Sequence, residues 1–194
     1  TRHLIHHVLT HAGLVGTQSP KSFNNHIGVP LTLLGGDPAH DFVTCEIGTN
    51  HPGEVAALAE IARPDIAVVS SIGEEHLEFL VDIDGVAREE AGVFGFVEAD
   101  GTLLLPAERW LPVPFAPPDD AAYAWRRFDL DPVADALPLA GEHNRLNASA
   151  AAVVARLFGI GEATVAEALG RAGNMPMRCE VLHAERADLP TIIN

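Results

Sequence analysis

Between residues 41 and 94 the chain alternates short apolar runs with helical patterns, and nothing else in it constrains the fold as much. Residues 41–47 form an apolar, strand-like run. In the next segment Val55, Leu58, Ala59 and Ala62 fall on one helical face. Arg63-Pro64-Asp65 closes that helix, because the residue before a proline is pushed out of the helical region. Residues 66–72 predict a second strand and residues 86–94 a second helix. Strand–helix–strand–helix order predicts an α/β fold, a mostly parallel sheet wound with helices. Ligands of such sheets sit at the carboxyl edge of the strands. Both runs deliver charge there: Phe42-Val43-Thr44-Cys45 ends in Glu46, and the second run leads into Glu74-Glu75-His76. A carboxylate and an imidazole converging on that edge point to a divalent cation, and through it to a phosphorylated substrate.

The remaining chain is less regular. Residues 3–13 have helical spacing, residues 23–30 read as a loop, and Gly35-Gly36-Asp37-Pro38 is a turn. A strand is expected at 102–105, after the turn Asp100-Gly101. Residues 112–120, rich in proline and acid, are loop, and 137–139 predict a further edge strand. Two helices follow at 144–158 and 162–172, then short strands at 180–183 and 191–193. The length of 194 residues suits one domain with a core of its own. A net charge of −15, with Lys21 the sole lysine, excludes the basic stripe that a nucleic-acid binder needs. No apolar run approaches the roughly 20 residues of a membrane span. Cys45 and Cys179 are too few and too far apart for a disulfide framework. A cytoplasmic location is the expectation.

Five motifs, in order, carry a resemblance. Phe23-Asn24-Asn25-His26-Ile27-Gly28-Val29-Pro30-Leu31-Thr32-Leu33-Leu34 resembles a signature of the Mur ligases. Glu46-Ile47-Gly48-Thr49-Asn50-His51-Pro52-Gly53-Glu54 is similar to the stretch E-x-G-x-N-x-P-G-E of the D-alanyl-D-alanine-adding type within that family. Ile72-Gly73-Glu74-Glu75-His76-Leu77-Glu78 looks like x-G-x-x-H-L-E, Gly141-Glu142-His143-Asn144-Arg145-Leu146-Asn147 matches G-x-H-N-x-x-N, and Met177-Arg178-Cys179-Glu180 resembles an arginine motif at a domain border.

The resemblance implies the central ATPase domain of a three-domain, ATP- and Mg2+-dependent amide-bond ligase, P-loop NTPase-like in fold. Residues 1–188 would be that domain, without its first strand and phosphate loop, and 189–194 the start of the C-terminal domain. Thr1 would be the last residue of the family's Gly-rich loop, and Lys21 lies too far along to replace that loop's lysine. The implied substrates are a UDP-N-acetylmuramoyl-peptide and D-alanyl-D-alanine, with no nucleic acid or membrane partner and a monomeric full-length form. The 194 residues alone are expected to be inactive, and the alternative is a degenerate homologue that binds without catalysis.

The resemblance also assigns residues. Glu46 and His76 match magnesium ligands. Glu90, fourteen residues after His76, stands where many members carry a carbamylated lysine, and its carboxylate offers a similar pair of anionic oxygens. These three form the expected catalytic and metal set. Asn24, Asn25, Asn147 and Arg178 match nucleotide-side positions, since amides hydrogen-bond a purine edge and guanidinium grips phosphate. Thr49, Asn50 and His51 are expected to face the muramyl-peptide.

Overall fold

The structure, a computed structural model, describes residues 1–173 and the short segments 181–182 and 192–193. Its elements run α1 (Arg2–His11), β1 (Gly16–Gln18), α2 (Gly28–Leu34), β2 (Phe42–Thr44), α3 (Glu54–Ala62), β3 (Ile66–Val68), α4 (Leu77–Leu80), α5 (Ile83–Glu90), β4 (Thr102–Pro106), β5 (Ala124–Phe128), α6 (Glu142–Leu157), α7 (Glu162–Gly170), β6 (Val181–Leu182) and β7 (Ile192–Ile193). A 3-10 turn, Ala91–Gly95, prolongs α5.

The expected parallel sheet is present, in two parts. β1 pairs with β2, and β3-β4-β5 form a second group; all of these pairs are parallel. The small pair β6-β7 is antiparallel. β4 explains the layering. Its Leu103, Leu104 and Leu105 are all fully buried, as a strand covered on both faces requires. Alternation sends Leu104 to one core, with Leu4, Ile5, Val8 and Leu9 of α1 and the alanines of α6. Leu103 and Leu105 face the other, with Val55 and Ala59 of α3 and Val86 of α5. The same alternation on β3 and just after it sends Ile66 and Val68 to the first core, and Ala67 and Val69 to the second. Small side chains on α6 (Ala148, Ala150, Ala151, Ala152, Ala155) allow α1 to lie close against it.

Three expectations need correction. The loop expected at 23–30 gives way to α2 from Gly28, because the Asn25 side chain takes the amides of Ile27 (3.1 Å) and Gly28 (3.0 Å) and turns the chain into a helix. The expected edge strand at 137–139 is irregular chain after the 3-10 turn Pro132–Ala136, and Leu137 is buried as a core residue instead. The edge strand is β5, whose exposed Trp125 and Arg126 hide the apolar alternation that marks strands. Among the described residues no helix is long and apolar enough to cross a membrane.

Candidate functional site

β2 and β3 do not hydrogen-bond to each other. A cavity of about 1180 Å³ separates them, lined by His40 to Asn50 on one side and Arg63 to Ser71 on the other. Apolar side chains close its floor from both cores, Ile5, Leu9 and Val154 on one face and Val55 and Val93 on the other. Its polar lining past the carboxyl ends of β2 and β3 includes Thr1, Arg2, Asn24, Asn25, Glu46, Asn50, Glu75, His76, Glu90 and Asn147.

Glu46 follows β2. The Ser19 hydroxyl, fully buried, accepts its backbone amide at 3.0 Å. Its carboxylate pairs with Arg2 Nε at 3.1 Å and accepts a longer bond from Asn24 Nδ2 at 3.4 Å. Asn24 is itself placed by Gly48, whose amide donates to the Asn24 carbonyl at 2.8 Å. A Cβ at Gly48 would collide with the Asn24 side chain and displace its amide from Glu46. Asn147, on α6, accepts the Thr1 hydroxyl at 2.6 Å, and so joins α6 to the start of α1.

His76 is exposed and has a left-handed backbone (φ 52°) at the turn into α4. Glu90 ends α5 and is half-buried. Burial, and then the negative charges of Glu75 and Glu89, push its carboxyl up to about 7. Glu46, Glu75 and Glu90 thus line the cavity past the ends of β2 and β3, and among these three, in the described residues, Glu46 is the one with a guanidinium beside it. Among the described residues, no three His, Cys, Asp or Glu side chains stand close enough together to hold an ion as placed. The donor chemistry still fits a hard divalent cation: the oxygens are anionic, and the strain on Glu90 is of the kind a cation relieves. For a nucleotide the fit is narrower. The start of α1 and Arg2 are the groups in this lining suited to phosphate.

The sequence-expected residues do not all share this polar lining. Thr49 lines the cavity but is buried, its hydroxyl 3.1 Å from Glu89 Oε1 and 3.0 Å from the His51 carbonyl. His51 points elsewhere, with its ring 4.1 Å from that of Phe79 and Nδ1 3.6 Å from Glu54. Arg178 lies outside the described residues. Sequence reasoning missed Arg2, Glu75 and Glu89. Glu75 had a signal, since it adjoins His76 at the strand's carboxyl edge. Glu89 had none, because Arg88-Glu89-Glu90 reads as a solvated helix face.

A family profile for the Mur ligase middle domain matches residues 1–110. The UDP-N-acetylmuramoyl-tripeptide–D-alanyl-D-alanine ligase of Bacillus subtilis (strain 168) is 28% identical over 95% of this chain and 44% of its own length. The ligase of the same name from Synechocystis sp. is 31% identical over 82% of this chain and 38% of its own length. The crystal structure of MurF from Acinetobacter baumannii superposes with a TM-score of 0.80 at 22% identity, covering 95% of this chain and 46% of that one. MurF from Thermotoga maritima in complex with ADP gives a TM-score of 0.73 at 17% identity, covering 94% and 47%. The solved structures establish a shared fold, and the chain spans less than half the length of these relatives.

Proposed function

The chain belongs to the Mur ligase family, through that family's middle domain, and we propose that it is the nucleotide-handling part of an ATP-dependent ligase joining D-alanyl-D-alanine to UDP-N-acetylmuramoyl-tripeptide. One observation carries this reading: Glu46, Glu75, His76, Glu90, Asn24 and Asn147, from five separate stretches, open on one cavity beyond β2 and β3. In the proposed reaction the tripeptide carboxylate takes the terminal phosphoryl group of ATP. The amine of D-alanyl-D-alanine then attacks the acyl phosphate, forming the amide and releasing phosphate.

Glu46, His76 and Glu90, with Glu75 beside them, would hold magnesium, which when bound offsets the charge gathered on the phosphates. Glu90 takes the place of the carbamylated lysine and supplies two anionic oxygens once deprotonated. Asn147 and Asn24 orient the nucleotide side through their amides, Asn25 shapes the loop into α2, and Arg178 is assigned to phosphate. Asn50 presents its side chain to the muramyl-peptide, with Thr49 and His51 bracing the turn beneath. The partners are these small molecules; the acidic surface does not suit nucleic acid.

The test is phosphate release by the protein encoded by the whole reading frame, supplied with ATP, magnesium, UDP-N-acetylmuramoyl-tripeptide and D-alanyl-D-alanine. Release that needs both co-substrates supports the assignment. Binding of the muramyl-peptide without any release points to the non-catalytic homologue instead. Residues 1–194 alone are assigned no turnover, and ATP-dependent ligation by them overturns that part.

A further inference from the structure

A carboxylate from α5 reaches beneath the turn that follows β2. Glu89 is only 7% exposed. Its Oε2 accepts the Gly53 amide at 2.6 Å, and its Oε1 accepts the Val55 amide at 2.8 Å and the Thr49 hydroxyl at 3.1 Å. Gly53 is the N-cap of α3, at φ 89°, and has no side chain with which to cap the helix. Glu89 supplies that cap from another helix, with its negative charge at the positive end of α3. From the solvent side Glu54 turns back to accept the amides of Asn50 (2.7 Å) and His51 (3.1 Å), which hold its carboxyl below the ordinary range. The Glu54 amide bonds the His51 carbonyl at 3.3 Å, and Pro52 has no N–H to place. Every backbone donor from Asn50 to Val55 is therefore satisfied, two of them by Glu89.

We propose that Glu89 is a positioning residue: it fixes the turn from Thr49 to Gly53 so that Asn50 opens on the cavity, and thereby sets the affinity for the muramyl-peptide. This rests on reading the cavity as a muramyl-peptide ligase site. Glu89 and Glu90 divide the work between two adjacent carboxylates, one turned inward to backbone amides and one facing the cavity. Two backbone amides, with a hydroxyl proton shared between Glu89 and the His51 carbonyl, suit an acceptor-only carboxylate. A glutamine keeps the shape but turns an NH2 group toward at least one of those donors.

The experiment compares the full-length protein with its Glu89→Gln and Thr49→Val variants, and with Leu58→Ala as a control that loosens α3 without touching the turn. Hydrogen exchange at Gly53 and Val55 quickens about ten- to hundredfold in Glu89→Gln, the worth of hydrogen bonds to a charged acceptor. The KM for UDP-N-acetylmuramoyl-tripeptide rises about tenfold in the same variant, as loss of one such contact's worth of preorganisation implies, while the KM for ATP stays within about twofold. Thr49→Val shifts the same KM in the same direction by less. Unchanged exchange at Gly53 and Val55 overturns the anchor. A KM shift of equal size in Leu58→Ala, or none in Glu89→Gln, overturns the positioning role. A wild-type protein that binds no muramyl-peptide overturns the functional reading instead, and the exchange data still decide whether Glu89 holds the turn.

Discussion

Replacing Glu90 by glutamine should stabilise the protein in a way that depends on pH. Burial and the neighbouring acids raise the Glu90 carboxyl from 4.5 to about 7. The folded state therefore holds this proton more tightly than the unfolded chain does. The stability linked to that proton is fully present below about pH 4.5, declines as the unfolded chain ionises first, and is gone once pH passes about 7. At about 1.4 kcal/mol per pH unit, the gap between 4.5 and about 7 amounts to roughly 3 kcal/mol. Glutamine is nearly isosteric and carries no charge to desolvate. Glu90→Gln should match the wild type near pH 4.5 and exceed it by about 3 kcal/mol above pH 8, about 6–12 °C in Tm for a chain of this size. Urea unfolding followed by circular dichroism, in chelator and at half-unit steps of pH, measures the difference directly. A difference that stays flat across that range would refute the reasoning, as would a wild type more stable than the variant at pH 8. Adding magnesium should narrow the gap at pH 8, since a bound cation stabilises the ionised carboxylate of the wild type alone.

Three further outcomes are expected, two of them resting on the proposed function. Glu46→Gln in the full-length protein should lower ligation about a hundredfold or more, with Tm nearly unchanged, because its carboxylate lies in the cavity's polar lining outside both cores; kinetics and a melting curve read both. Leu104→Ala should cost about 2–5 kcal/mol in urea unfolding, since that side chain is fully buried between β4 and α1. Glu90→Lys should retain ligation only when bicarbonate is supplied, and activity indifferent to bicarbonate would argue against Glu90 standing in for a carbamate.

The parts of the fold legible in the sequence are those where burial and period agree. α3 is found with its bounds intact, because four apolar residues repeat at helical spacing and a proline ends it. β4 is a bare leucine run after an Asp-Gly turn. β5 is missed because Arg126 and Arg127, on opposite faces of the strand, interrupt the apolar alternation on both. α2 is missed because its start depends on one side chain, Asn25, bonding two amides. In the site, Glu46, His76 and Glu90 are reachable from strand ends and motif spacing. Arg2 and Glu89 are not, since an ion pair across 44 positions or a cap lent by another helix leaves no local trace.

Among the described residues β4 is the strand with a partner on each edge, β3 on one side and β5 on the other, and with both faces covered. Its backbone can meet water only when the layers on either side of it come apart. The amide hydrogens of Leu103, Leu104 and Leu105 should therefore report global opening, and be the last in this sheet to exchange.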